Sequence, residues 1–397
     1  GGDDTYYFLD GWGSDTVVEL ASGGTDTMNF SQISGTISVD SNGSTITVTN
    51  AVSTATHTGN NVENIIGSAT ATNTLDYSTA ASGQIFTLTA LGTDTGFKVD
   101  VTGVGSFDNI NAIVGSTATG DVLNTLNAAS TFNLQSATAT YTSTNALTFS
   151  AIDTVNAGTQ SDSFTLSGSP ALDLNAGAGA DDFTFNAGAT PTGVLDGQAG
   201  ADTLSFLPYA TARHVTLTGL GSTDGFDGTE PALTGSFANI DILVGSSTSQ
   251  DSLTGANLSA QWNIDGTNQY TSTNTLDFAG FEILIGGTGV DVFNLSGTQA
   301  HDLRGGSGND ALVFANGAQL TGSFDGEAGT DTLDYSAYAT ARSITLTAIG
   351  TTDGFNGTEA ALSAGFTNVD DFVGSTAANN DRLYGLDQDT NWAIGTT

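Results

Sequence analysis

Residues 196–213 read DGQAGADTLSFLPYATAR, and residues 325–342 read DGEAGTDTLDYSAYATAR. Twelve of these 18 positions agree, at a spacing of 129 residues. The next stretch repeats at the same offset: RHVTLTGLGSTDGFDGTE (213–230) returns as RSITLTAIGTTDGFNGTE (342–359), again with 12 of 18 matches. A more diverged copy lies upstream, where FTLTALGTDTGF (86–97) corresponds to residues 215–226 and SFDNINAIVGS (106–116) to SFANIDILVGS (236–246). The chain therefore divides into an N-terminal partial repeat at 1–70, repeat units at 71–199 and 200–328, and a truncated unit at 329–397. A fixed long period marks a repeat architecture.

The local pattern says which kind of repeat. Short runs such as Ile46-Thr47-Val48, Val215-Thr216-Leu217-Thr218 and Ile344-Thr345-Leu346-Thr347 alternate apolar and polar residues and are rich in β-branched side chains. Gly, Asn, Asp and Ser bound them, so they read as short strands. No sustained 3.6-residue apolar period argues for a helix. Many short strands in a long repeat give either a chain of β-sandwiches or a solenoid. The spacing of the aspartates decides for the solenoid. Asp291, Asp310 and Asp331 are 19 and 21 residues apart, and so are Asp162, Asp181 and Asp202. A β-roll coil takes about 18 residues. The expected fold is an all-β, elongated parallel β-solenoid, β-helix or β-roll-like, in which one glycine-aspartate loop per coil stacks along one edge. Phe293, Leu312 and Leu333 each follow an aspartate by two residues, as do Phe164, Phe183 and Leu204 upstream, and they should line the interior.

Those loops carry the chemistry. Residues 305–313, GGSGNDALV, fit the pattern G-G-x-G-x-D-x-(apolar)-x. Glycine admits positive φ, so the loop can curl and present carbonyls. The aspartate adds a charged oxygen, and Ca²⁺ takes six to eight oxygens, which two stacked loops can supply together. The flanking loops GGTGVD (286–291) and GEAGTD (326–331) are related. The candidate calcium residues are Gly305, Ser307 and Asp310; Gly286, Thr288 and Asp291; Gly326, Ala328 and Asp331; and, upstream, Asp181 and Asp202. The loops before Asp121, Asp251 and Asp381 (GSTATGD, GSSTSQD, GSTAANND) lack the second glycine and read as turns that have lost the ion.

With GGDDTYYF (1–8), GGTDTMNF (23–30) and VENIIGS (62–68), these loops resemble the repeats-in-toxin, or haemolysin-type calcium-binding, proteins, and in particular the long repetitive surface adhesins of bacteria. The resemblance covers most of the chain in style, but only residues 305–313 match the nonapeptide well. It implies a secreted, calcium-dependent, extracellular protein. It makes Asp310 the first candidate ligand, with Asp291 and Asp331 next.

Composition narrows the function classes. Five Lys+Arg stand against 42 Asp+Glu, a formal net charge of −37. Six of the acids are glutamate (Glu19, Glu63, Glu230, Glu282, Glu327, Glu359), so the excess is aspartate, the residue of turns and oxygen-rich metal loops. With so few cations the chain has no patch for nucleic acid or an anionic membrane. No apolar run is long enough for a transmembrane helix. No cysteine is present, so disulfides are excluded and metal binding is the expected staple.

Other candidates read as structural. His57, His214 and His301 are not repeated and have no partners at ligand spacing, so they read as surface residues. Arg213 and Arg342 are equivalent and read as tethers. Trp262 and Trp392 are equivalent and read as core or interface, with a sugar-stacking platform as the minor reading. The TDGF loops at 223–230 and 352–359 cluster Asp, Asn and Glu around glycine as a second candidate cation loop or, more simply, a surface turn. Asn42, Asn257 and Asn356 open glycosylation sequons. The expected function is a non-enzymatic, calcium-stabilised structural subunit of a bacterial extracellular filament, sheath or surface adhesin, with cell-surface polysaccharide as a candidate ligand. The chain opens within a glycine-aspartate motif and stops where the preceding unit continues. It is expected either to belong to a longer adhesin or to polymerise head to tail. The alternative from another class is a secreted β-helix enzyme acting on polysaccharide.

Overall fold

The computed structural model describes residues 2–19, 24–41, 45–59, 62–248, 250–376 and 380–387. Trp392 and the end at 392–397, the 42–44 sequon, Gly1 and Gly23 lie outside the described residues. Among the described residues the chain is all-β, and no helix is long and apolar enough to cross a membrane. It forms two compact units: 1–202 with 232–235, and 203–231 with 236–397.

Each unit is built of two mostly parallel sheets that the chain visits in turn. In the second unit one sheet runs from Ser252–Thr254 through Ile283–Gly287, Asp302–Gly308 and Phe324–Gly329 to Leu362–Val369. The other runs from Ala260–Ile264 through Asp291–Leu295, Ala311–Phe314 and Thr332–Asp334 to Asp371–Val373. The register stacks like on like: Leu284 pairs with Leu303 and Leu303 with Phe324 in the first sheet, and Phe293 with Leu312 and Leu312 with Leu333 in the second. These side chains are fully buried. Phe293 of one sheet meets Phe324 of the other edge to face at 6.3 Å, so the core lies between the two layers. The first unit repeats the arrangement. There Phe132, Phe164 and Phe183 stack with ring centroids 4.6 and 4.8 Å apart. The apolar residue two positions after each aspartate therefore points inward, as period-two alternation requires.

The sequence reading did not anticipate the antiparallel excursions. His214–Leu220 returns along Phe226–Glu230, and Ser343–Ile349 along Phe355–Glu359 and then Leu362–Val369. In the first unit Ile85–Leu91 returns along Phe97–Val101 and then Gly105–Ile110. A second type, such as Ala260–Ile264 with Gln269–Thr271 and Thr275–Ala279, leaves the other sheet. Each excursion spends residues without advancing the parallel stack. It lengthens the distance between stacked positions from 19–21 residues to between 31 and 42, as between Asp251 and Glu282 and between Phe324 and Phe366.

Candidate metal centre

The motif aspartates stack, but first with the backbone. Asp291 donates its N–H to the Asp310 carboxylate (2.8 Å), and Asp310 donates to that of Asp331 (2.8 Å). In the first unit Asp162 donates to Asp181 (2.6 Å) and Asp181 to Asp202 (2.9 Å). All six aspartates are buried. One carboxylate oxygen of each downstream residue is thus spent holding the preceding pass of the chain.

The second oxygen is where the loops differ. In Asp181, Asp310 and Asp331 it is buried and, among the described residues, accepts no hydrogen bond. For Asp310 and Asp331 a backbone carbonyl lies close by. The space beside Gly305 is bounded by the Asp310 Oδ2 and the Gly326 carbonyl, each 2.5 Å from where a Cβ would sit. The Asp331 Oδ2 and the Asn368 carbonyl crowd the same place beside Gly326, and the Asp291 carboxylate and the Gly305 carbonyl that beside Gly286. These glycines are needed for close approach rather than for positive φ, which belongs to Gly287, Gly306, Gly308 and Gly329. Gly305 and Ser307 lie within the strand Asp302–Gly308, not in a curled loop, and Ser307 pairs with Ala328 across the ladder. Gly286 is buried and Thr288 exposed.

The Gly-Ser loops solve the same problem internally. Asp121 accepts the Ser116 N–H (3.0 Å) and hydroxyl (2.7 Å), while its other oxygen takes the Gln84 N–H (2.8 Å). Asp251 accepts the Ser246 N–H (2.6 Å) and hydroxyl (2.9 Å) and the Arg213 N–H (2.5 Å). Asp381 does the same with Ser375 and Arg342. The serine supplies two donors, so both carboxylate oxygens are satisfied. The glycine loops are one residue shorter than those before Asp121 and Asp251, two shorter than that before Asp381, and have no such serine.

The electrostatics follow. Burial pushes the carboxyls of Asp181, Asp291 and Asp331 up to about 7 and that of Asp162 to about 6. At Asp291 the charge of Asp310 adds to burial, and at Asp331 the charges of Asp310, Asp353 and Asp370 do. Among the described residues, Asp291, Asp310 and Asp331 form no ion pair. A buried carboxylate whose free oxygen faces carbonyls requires a proton or a cation.

Among the described residues, two acidic groups have the spacing to hold an ion: Asp4, Glu19 and Asp26, and Asp331, Asp353 and Asp370. Asp353 belongs to the TDGF loop, so that loop does bring an acid to a glycine-loop aspartate. Its glutamate goes elsewhere. Glu359 pairs with Arg342, whose guanidinium lies over the Tyr338 ring at 4.1 Å, and Glu230 pairs with Arg213 at 3.4 Å. The arginines are tethers. His57 corrects the surface reading: it is fully buried, with Nδ1 3.2 Å from the Val17 carbonyl. It follows Ala55 by two on an alternating strand, a period that assigns it to the interior. Trp262 is fully buried and stacks on Phe293, which leaves no face for a sugar. Asn257 is exposed and Asn356 half-buried.

A scan against protein-family models gives no match for this chain, and a search of curated proteins gives none either.

Proposed function

We propose that the chain is a β-solenoid held together by calcium at its glycine-aspartate loops, and that it serves as a structural subunit of a bacterial extracellular filament, sheath or surface adhesin. The observation that carries the reading is the division of the buried aspartates into two classes. Where a serine precedes the aspartate, its two donors complete the carboxylate; in Asp181, Asp310 and Asp331 of the glycine loops one buried oxygen has no donor among the described residues. Ca²⁺ is a hard cation that takes carboxylate and carbonyl oxygens together. The resemblance to calcium-binding repeat proteins supports the same ion and an extracellular setting, where millimolar calcium sustains weak sites. Two mostly parallel sheets stacked like on like support the solenoid. Carboxylates committed to backbone N–H groups in the interior suit a scaffold better than a catalytic pair, which must face its substrate. Head-to-tail addition of a further chain, by the same parallel pairing, would build the filament.

Thermal unfolding with millimolar calcium or with chelator tests the account. Calcium binding to the folded state alone should raise Tm, and raise it further with concentration. Equal melting under the two conditions removes the calcium reading. Electron microscopy of the calcium-loaded protein should show filaments; separate particles at all concentrations remove head-to-tail assembly.

A further inference from the structure

Asp331, Asp353 and Asp370 come from three different places in the second unit. Asp331 ends a glycine loop, Asp353 sits in the turn of the inserted hairpin, and Asp370 precedes the strand Asp371–Val373. One carboxylate oxygen of each lies within 4.8 Å of the other two. Backbone donors account for part of the group. Asp353 Oδ2 accepts the Gly329 N–H (3.0 Å) and Asp370 Oδ2 the Asp331 N–H (3.0 Å). The Asp331 Oδ1 accepts the Asp310 N–H. The Asp331 Oδ2 and Asp353 Oδ1 remain buried with no donor among the described residues, and Asp331 itself is fully buried. Among the described residues, none of the three acids has a basic side chain in an ion pair.

The first unit holds an internal control. Through the 129-residue register, and a further one-residue shift at 111, Asp331, Asp353 and Asp370 correspond to Asn73, Thr95 and Asn111. All three acids are neutral there, and donors complete the group. Asn73 donates its amide to the Ser68 and Asn109 carbonyls (2.8 and 2.7 Å). Its N–H goes to the Asn111 Oδ1 (3.0 Å), and the Asn111 amide to the Thr95 hydroxyl (3.1 Å). The same backbone frame is closed in one copy by amide hydrogens. In the other it presents three carboxylates and two oxygens without donors.

We propose that Asp331, Asp353 and Asp370 bind one hard divalent cation, Ca²⁺ by preference, which clamps the turn of the inserted hairpin onto the glycine-aspartate stack. A dication reduces the group from three negative charges to one, and Ca²⁺ completes its six to eight oxygens from backbone and water. The site shares Asp331 with the glycine-loop reading but does not need an ion at any other loop. The Asn73–Thr95–Asn111 copy is the cation-independent form of the same clamp. The intermediate repeat carries Asp202, Asp224 and Asp241 at the corresponding sequence positions.

Calorimetric titration of the full chain with Ca²⁺ tests this, comparing wild type with Asp353→Thr, with the triple substitution Asp331→Asn, Asp353→Thr and Asp370→Asn, and with Asp291→Asn. Asp353→Thr should bind about one equivalent fewer than wild type. The triple variant should lose the same equivalent, yet in chelator it should melt no lower than wild type, because it is built as the neutral copy is. If Asp353→Thr keeps the full stoichiometry and affinity, the clamp is overturned. An unchanged titration for Asp291→Asn together with a lost equivalent for Asp353→Thr keeps the clamp and removes the glycine-loop ions. Circular dichroism of each variant establishes that a lost equivalent is not lost fold. If Asp353→Thr does not fold, Asp370→Asn is read in its place by the same criteria.

Discussion

At the scale of single residues, the buried aspartate is a hydrogen-bond acceptor before it is a ligand. One oxygen receives an N–H from the preceding pass, and that bond is present with or without an ion. What distinguishes Asp310 from Asp251 is the second oxygen: each carboxylate lies near a backbone carbonyl, but that of Asp251 receives the Ser246 N–H and hydroxyl, whereas the Asp310 Oδ2 receives no donor among the described residues. The difference makes stability depend on pH. With the carboxyls of Asp181, Asp291 and Asp331 raised to about 7, the folded protein holds protons that the unfolded chain releases near pH 4. The stabilisation is complete below about pH 4 and is lost as pH rises through about 7. In chelator, Tm should therefore fall between these limits, and calcium should restore most at the upper one. Melting curves across that range, with and without calcium, check both slopes. A chelated protein that gains stability from pH 5 to 7 contradicts the raised carboxyls.

At the scale of elements, the parallel strands were legible because two periods agree in the sequence. Alternation sets which residues face inward, and the 19–21-residue aspartate spacing sets the stack, so the inward positions of Phe293, Leu312 and Leu333 follow from the sequence. The excursions were not legible. TLTGLGSTDGFDGTE alternates like any strand pair, and nothing local distinguishes a hairpin that leaves the stack from one that continues it. Ser246 and Ser116 were also hidden, because their role is defined by a carboxylate five residues later whose direction the sequence does not state. Asp353 was visible only as a loop acid; its meeting with Asp331 depends on how the hairpin folds back. The repeated arginine marks the foot of that hairpin. Arg342 lies between Tyr335 and Tyr338 and pairs with Glu359, which ends the returning strand. Both charges are buried. Glu359→Ala leaves the guanidinium buried without its partner, a loss of about 3–5 kcal/mol. Denaturant unfolding measures it. A change below about 1 kcal/mol would show that the stacking on tyrosine, not the ion pair, holds the hairpin.

At the scale of the molecule, the question is how a chain with a net charge of −37 stays folded. Two sources of repulsion must be separated. Exposed carboxylates repel through water, and any salt weakens that repulsion; at about 1 M the screening length is about 3 Å. The stacked aspartates are inside, beyond the reach of mobile ions, and only a proton or a cation seated among their oxygens relieves them. Sodium chloride at about 1 M should therefore recover part of the Tm lost on chelation and then level off. Millimolar calcium at low ionic strength should exceed that plateau although its ionic strength is far smaller. Magnesium, which demands octahedral geometry and gives up water reluctantly, should fall between the two. The measurement is Tm against concentration for the three salts on one chelated preparation. A sodium plateau that reaches the calcium value would assign the whole effect to diffuse charge and leave the buried rungs to protons. A calcium excess that disappears at pH 5, below the raised carboxyls of Asp181, Asp291 and Asp331, would assign it to the rungs themselves.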